Sequence, residues 1–154
     1  MRLEPLYRSR FSYPEGWGVS VEGPHGSEGH YFFLSEGRCE GRLSGRTRGC
    51  NHPRSRVDGS ALPNLQGVIE TEDGATILFD ARGYARPYPA GRRQIVVSVT
   101  HLSDDERYRW LNDVVCVGVG EIRPHTGGGP RQVVGHDVEF VVEVSELVWE
   151  PLAD

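Results

Sequence analysis

The carboxylate of Glu70 is the first candidate for chemistry in this sequence. Glu70 belongs to Leu65–Tyr84, where two segments of alternating apolar residues are joined by Asp73-Gly74, a pair that favours the positive φ angles of a two-residue β-turn. In the resulting hairpin Glu70 shares one sheet face with three large apolar residues, Val68, Ile77 and Phe79. Burial there would raise the pKa of the carboxyl group and make Glu70 a usable general acid or base near neutral pH. If this face is exposed to water, Glu70 is an ordinary surface residue.

His101 is the second candidate for catalysis. It ends a predicted strand, and its neighbours on the same face are the apolar residues Ile95, Val97 and Val99. This pattern predicts an imidazole on the apolar side of a sheet, near the mouth of a barrel. Histidine titrates near neutrality and can act as acid, base or hydrogen-bond donor, although a structural histidine at a rim has the same pattern.

Four polar residues in and after a long segment without periodicity are candidates for substrate binding. The segment Gly45–Pro63 has the length of a functional loop, and we expect a lid or the rim of a pocket there. Its His52 and Arg54 could bind a carboxylate, phenolate or enolate oxygen, or could be parts of a solvated loop. Asn64 and Gln66 follow and could orient a substrate.

Trp110 and Asn112 are candidates at the end of a predicted helix. Ser103–Glu106 has the pattern of a capping box, which predicts a short helix over Asp104–Leu111. Trp110 and Asn112 would flank its end, where a tryptophan can contact substrate or simply close the end of a barrel.

Period-two alternation recurs along the rest of the chain and predicts an all-β fold. Glycine and proline fall mostly between the alternating segments, which predicts turns at Pro14–Gly18, Gly23–Gly29, Arg86–Gly91 and Pro124–Pro130. The predicted strands are Trp17–Glu22, His30–Leu34, Arg38–Thr47, Gly67–Glu72, Ala75–Tyr84, Gln94–Leu102, Val114–Ile122 and Val133–Val148, with a further one near Leu3–Phe11. Eight or nine strands at this spacing favour a single antiparallel β-barrel over residues 1–154, with one short helix.

The composition excludes several classes of function. A chain of 154 residues is long enough for one domain, and a net charge of −5 without a basic run argues against a nucleic-acid partner. All 17 basic side chains are arginines, so Schiff-base, pyridoxal phosphate and phosphate-loop lysines are impossible. No glycine-rich phosphate loop is visible, and Cys50-x-His52 is too short a pattern to indicate metal. We therefore expect no cofactor and no metal.

The sequence favours a cytoplasmic protein. No apolar run reaches membrane-spanning length, and Met1–Phe11 lacks the apolar middle of a signal peptide, so we expect no membrane partner. Three isolated cysteines, Cys39, Cys50 and Cys116, suit reduced thiols better than a disulfide framework, with Cys116 in the core. A homo-oligomer is compatible with a short barrel, but no feature of the sequence fixes a number.

The order of three segments resembles the DUF3237 (UPF0311) family of small β-barrel proteins. The segments are Gly37–Gly41 (GRCEG), Glu70–Ala75 (ETEDGA) and Trp110–Asn112 (WLN). The resemblance implies a barrel with an internal cavity, in a family whose members are largely uncharacterised. The family usually has Asp-Trp in the long loop and Asp-x-Arg before the hairpin strand, whereas this chain has Cys50–Arg54 and the pair Asn64 and Gln66. No catalytic role is therefore carried over to those positions.

Two functions of different class agree with these residues. The first is an enzyme without a cofactor that acts on an apolar or aromatic molecule, including polyketide-like ones, by acid/base chemistry of the isomerase, lyase or cyclase type. Glu70 or His101 would move the proton, and His52 or Arg54 would stabilise an oxyanion. The second is a β-barrel that binds a small ligand without catalysis.

Overall fold

Almost the whole described chain is β-structure. The computed structural model describes residues 1–88, 92–124 and 134–154. The described strands are β1 (Arg2–Gly23), β2 (Gly26–Gly41), β3 (Gly45–Asn51), β4 (Arg54–Ser55), β5 (Ala61–Leu62), β6 (Asn64–Thr71), β7 (Thr76–Tyr88), β8 (Arg92–Leu102), β9 (Val115–Pro124) and β10 (Gly135–Val148). Residues 89–91 and 125–130, parts of the predicted turns Arg86–Gly91 and Pro124–Pro130, lie outside the described residues.

Eight of these strands form a closed antiparallel ring. Each pairs with the next in the order β1, β10, β9, β8, β7, β6, β3, β2, and β2 pairs again with β1. The short strands β4 and β5 form a second connection between β2 and β7. The predicted all-β antiparallel fold is confirmed, and closure of the ring pairs each of its eight strands on both sides over part of its length.

The first two strands are longer than predicted. β1 continues through the expected turn at Pro14–Gly18, and the register of its pairing with β2 shifts between Ser12 and Glu15. Such an irregularity lets a strand accommodate Pro14, which has no N–H to donate to the ladder. The predicted boundary between separate strands was therefore wrong.

The turn of the Leu65–Tyr84 hairpin has three residues, not the predicted two. Thr71 pairs with Ala75 around Glu72–Gly74, and Gly74 adopts a positive φ of 89°. Glu70 consequently lies opposite Thr76, and Ile69 lies opposite Ile77. Because side chains alternate between faces, a shift of one residue separates Glu70 from Ile77 and places Glu70 on the outer face. The predicted placement of Glu70 on one face with Ile77 and Phe79 was wrong, and of the three apolar residues only Val68 shares its face.

The segment Gly45–Pro63 is not one long loop. β3 occupies its first seven residues and alternates between exposed arginines, Arg46 and Arg48, and buried Thr47 and Asn51. The alternation is real, but the inward residues are polar or glycine, so a search for apolar periodicity missed it.

The predicted helix over Asp104–Leu111 is reduced to a 3-10 turn over Arg109–Asp113. The Ser103 hydroxyl donates to the carbonyl of Thr76 and accepts from the amide of Asp105, and the Asp105 carboxylate binds Arg107. The backbone N–H of Ser103, which a capping box would bond to the side chain of Glu106, donates instead to Asn112 Oδ1.

One end of the ring is filled by a tightly packed core. Its least exposed side chains are Leu6, Leu43, Ile69, Ile77, Leu111, Cys39 and Cys116, all below 2% exposure. Cys116 thus lies in the core, as expected, and burial raises its pKa to about 11. No helix within the described residues is long and apolar enough to cross a membrane.

Candidate functional site

The ring of strands surrounds a cavity of about 690 Å³. This size is within the range of small-molecule sites. The cavity extends from Tyr7 and Val99, which lie toward the packed core, to the exposed residues Ser20, Glu22 and Ser27 at its mouth. Because the cavity lies inside the ring, every second side chain of a strand points into it, and these side chains determine which ligands it can bind.

β1 shows how the sequence builds this lining. Tyr7, Ser9, Phe11 and Tyr13 are two residues apart, and all four line the cavity. The arginines between them point outward, where Arg8 pairs with Glu143 and Arg10 with Glu139 on β10. The period of two therefore separates a surface of ion pairs from an interior of aromatic rings and hydroxyls.

Five aromatic residues form a continuous wall of the cavity. We call this the aromatic wall, and its members are Tyr31, Phe33, Tyr13, Phe140 and Phe11. Along it the ring centroids of successive members lie 5.9, 4.6, 4.4 and 4.9 Å apart, and all but the Tyr13–Phe140 pair are stacked. Rings packed in this way form a rigid apolar wall against which an aromatic ligand can pack.

The hydroxyl of Tyr13 on this wall is oriented by an asparagine. The backbone N–H of Asn64 donates to Asn51 Oδ1 at 2.9 Å, and Asn51 Nδ2 donates to Tyr13 Oη at 2.7 Å. Tyr13 is 3% exposed, and its burial raises the pKa of the hydroxyl well above its usual value. The phenol is therefore neutral and keeps its own hydrogen.

A second tyrosine meets a histidine at the inner end of the cavity. Tyr7 Oη lies 2.9 Å from His101 Nε2, with both residues buried, and the Cys116 thiol lies 4.0 Å from His101 Nδ1. Burial lowers the pKa of His101 to about 4 and raises the pKa of Tyr7 well above its usual value. Both side chains are thus neutral at pH 7, and either can be the donor of their shared hydrogen bond.

The other polar groups of the cavity come from several strands. Ser35 and Thr47 are buried hydroxyl residues on β2 and β3, and Arg93 and Glu22 lie nearer the mouth. Within the described ranges, no group of three His, Cys, Asp or Glu residues could hold a metal ion. The interior is therefore chiefly apolar, with hydroxyls as its main hydrogen-bonding groups.

The sequence of this chain matches one family model over most of its length. The model of a family described as "Protein of unknown function (DUF3237)" matches residues 1–144. This chain belongs to the DUF3237 family. No curated protein matches it.

Solved structures similar to this DUF3237 chain share its fold at low sequence identity. A β-barrel-like protein from Acinetobacter baumannii is 19% identical, with a TM-score of 0.71 over 94% of each chain. A protein of unknown function from Clostridium acetobutylicum is 14% identical, with a TM-score of 0.75 over 96% of this chain and 100% of that one. An enzyme from Penicillium herquei is 17% identical, with a TM-score of 0.59 over 93% of each chain. At these identities the likeness shows the fold alone.

His101 is the one predicted site residue that the structure places behind the cavity lining. It shares the inward face with Ile95, Val97 and Val99, as predicted, and all four are buried. It lies at the inner end beside Tyr7, however, and not at the mouth. The alternating apolar residues before His101 predict that its side chain points inward. Whether His101 lies at the mouth or at the inner end of the cavity depends on how all eight strands pair.

Most of the other predicted site residues lie outside the cavity. Glu70 is exposed and pairs with Arg48, and Gln66 donates to Asp80 on the same outer surface. His52 and Arg54 are exposed residues that do not line the cavity. The register of the hairpin turns Ile69 inward and therefore Glu70 and Gln66 outward. At the end of β3, Asn51 points inward and the next residue, His52, is exposed.

Asn64 and Trp110 have other surroundings than predicted. The backbone of Asn64 orients Asn51, while its side-chain Oδ1 is buried and has no partner within the described residues. Trp110 is partly exposed, with the guanidinium of Arg42 over its ring at 4.6 Å. Neither side chain lines the cavity.

Asn112 has a structural role in the DUF3237 chain. Its Oδ1 accepts from the backbone N–H of Ser103 at 2.8 Å, and its Nδ2 donates to the carbonyl of Ser103 at 3.0 Å. We expect Asn112→Ala to lower the free energy of unfolding by about 1 kcal/mol, because the Ser103 groups lose both partners. Urea unfolding measures this, and Asn112→Asp, which keeps the acceptor, should lose less. Equal stability of all three proteins would contradict the structural role.

The sequence prediction missed Tyr7, Tyr13 and Asn51. For the two tyrosines, the signal was the repeat Tyr7-x-Ser9-x-Phe11-x-Tyr13, with arginines between. For Asn51 the signal was weaker, because its inward neighbours on β3 are not apolar. An inward face of mixed aromatic and hydroxyl residues is itself typical of a ligand cavity.

Proposed function

We propose that this protein is an enzyme that transfers a proton within a small, planar and largely apolar substrate, held in the barrel cavity. The observation that carries the proposal is the buried hydrogen bond of 2.9 Å between Tyr7 Oη and His101 Nε2. Tyr7 lines the cavity, and His101 lies behind it. A tyrosine backed by a histidine can move a proton without placing a charged group against an apolar substrate.

The proton moves from the substrate to Tyr7 while the hydrogen of Tyr7 moves to His101. The substrate is a carbonyl compound with an acidic C–H. Tyr7 Oη takes the proton from carbon while its own hydrogen passes to His101 Nε2, and the C–H electron pair becomes an enolate. The relay then runs in reverse and delivers a proton to a second carbon or to oxygen, so that the net reaction is an isomerisation. Because the pKa of His101 is about 4, the imidazole is neutral and able to accept at pH 7.

The similar fold of the enzyme from Penicillium herquei supports an enzymatic role for this kind of cavity. The role first predicted for Glu70 passes to Tyr7, because Glu70 lies on the outer surface. No role in the reaction is assigned to His52, Arg54 or Gln66, which lie outside the cavity.

The second candidate function is binding without catalysis. It is favoured by the aromatic wall, which would hold a planar ligand whether or not a proton moves. In this case the Tyr7–His101 bond is a satisfied polar pair under the cavity floor. The two functions predict the same ligands and differ in turnover.

Proton exchange separates the two functions. Phenyl, naphthyl and anthryl methyl ketones are incubated with the protein in D₂O, and loss of the methyl proton signal is followed by NMR. Proton transfer predicts saturable, protein-dependent exchange that continues unchanged in Glu70→Gln, the matched carboxylate variant on the outer surface. Saturable binding with exchange only at the rate of buffer would favour the binding function.

A further inference from the structure

The hydrogen bonds around Asn51 determine which way the Tyr13 hydroxyl donates. A backbone N–H can only donate, so the Asn51 atom that faces the amide of Asn64 is the oxygen. The amide group of Asn51 must then face Tyr13, and the contact of 2.7 Å is a bond from Asn51 Nδ2 to Tyr13 Oη. Tyr13 Oη is thus an acceptor in this bond, and its own hydrogen is left for another partner.

The surroundings of Tyr13 limit where this hydrogen can go. Tyr13 is nearly fully buried. Its ring centroid lies 4.6 Å from that of Phe33, on which it stacks, and 4.4 Å from that of Phe140. Both aromatic neighbours lack acceptors in their side chains, and Tyr13 itself lines the cavity. A buried hydroxyl hydrogen without a partner is costly, so an acceptor inside the cavity is favoured.

We propose that Tyr13 recognises a carbonyl or phenolate oxygen on a planar aromatic ligand that lies against the aromatic wall. This inference rests on the proposed function and adds to it the substrate class: aromatic compounds with an oxygen acceptor on the ring system. The recognition point differs from the Tyr7–His101 pair, because the two tyrosines are six positions apart on β1, about 20 Å of extended strand. Tyr13 is a binding residue, and Asn51 and Asn64 position it.

The test compares two probes of the same shape. Methyl naphthyl ketone has a carbonyl oxygen where isopropenylnaphthalene has a methylene group, so the two differ in one acceptor. Their dissociation constants are measured by equilibrium dialysis for the wild type, Tyr13→Phe and Tyr31→Phe. Tyr31→Phe is the matched control, since it removes a hydroxyl from a neighbouring ring of the same wall, where Tyr31 stacks on Phe33.

We expect Tyr13→Phe to weaken binding of the ketone about tenfold, the size of one neutral hydrogen bond, and to leave binding of the alkene unchanged. Tyr31→Phe should keep the preference for the ketone. The inference is overturned if Tyr13→Phe changes both affinities equally or neither, if Tyr31→Phe has the same effect, or if neither probe binds the wild type.

Asn51→Asp provides a second test that keeps Tyr13. One oxygen of the new carboxylate can accept from Asn64, and the other can accept the Tyr13 hydrogen, which is then no longer available to the ligand. The ketone should again lose its preference over the alkene, and a retained preference would contradict the inference. Exchange of the methyl protons is a separate measurement. A Tyr13-dependent preference without exchange would refute proton transfer and leave the recognition by Tyr13 intact.

Discussion

The Tyr7→Phe variant is expected to exchange the methyl protons of a bound aryl methyl ketone about a hundredfold more slowly than the wild type. General acid–base catalysis by one positioned side chain typically contributes at least this factor. Phenylalanine fills the same space but cannot take a proton from carbon or pass one to His101 Nε2, which lies 2.9 Å from the hydroxyl in the wild type. The rate of exchange at saturating ketone, followed by NMR in D₂O, measures the effect.

A matched variant and a pH profile distinguish catalysis from packing. Ser9→Ala removes another hydroxyl of β1 that lines the cavity, and it should exchange at close to the wild-type rate. Because the pKa of His101 is about 4, the wild-type rate corrected for the exchange in buffer should not fall between pH 7 and pH 5. A Tyr7→Phe protein that binds the ketone and exchanges it as fast as wild type would refute the relay.

The strand content of the chain could be predicted because it depends on a local signal. Ile95, Val97, Val99 and His101 alternate along β8, and the structure places all four inward. The same signal fails in β3, where Thr47 and Asn51 point inward beside exposed arginines. A cavity needs polar groups on its inner face, so a strand that supplies them, as β3 does with Thr47 and Asn51, shows a weak apolar period.

The error at Glu70 has a different cause. Asp73-Gly74 does mark the turn, but the loop contains Glu72 as well, and Gly74 takes the positive φ. The side chain of Asp73 also accepts from Thr71 Oγ1 and Tyr108 Oη, and the second of these bonds joins residues 35 positions apart. Such distant contacts contribute to the choice between two and three loop residues, and that choice decides which face a carboxylate occupies.

The pairing of Tyr7 with His101 could not be read from the sequence at all. The two residues lie on β1 and β8, which are not neighbours in the ring, and 94 positions separate them. Their contact across the interior follows only when all eight strands close. Local patterns thus predict which side chains point inward, while the chemistry of the site depends on which of them meet.

The buried His101 should also make the fold sensitive to acid. Its pKa is about 4 in the folded protein, below the ordinary value of 6.5, because burial disfavours the imidazolium. Between these two pH values the unfolded chain binds more protons than the native one, so stability rises with pH. The contribution of His101 is fully present above pH 6.5 and is lost as the pH falls toward 4.

We expect acidification from pH 7 to pH 4.5 to lower the free energy of unfolding by about 2 kcal/mol more in the wild type than in His101→Gln. Glutamine can still form a hydrogen bond with Tyr7 but has no proton to gain. Urea unfolding of both proteins at the two pH values measures the difference. The exposed His25 and His52, the half-buried His30 and every carboxylate are present in both proteins, so their contributions cancel in the comparison. If both proteins lose the same stability, burial does not hold the pKa of His101 below its ordinary value.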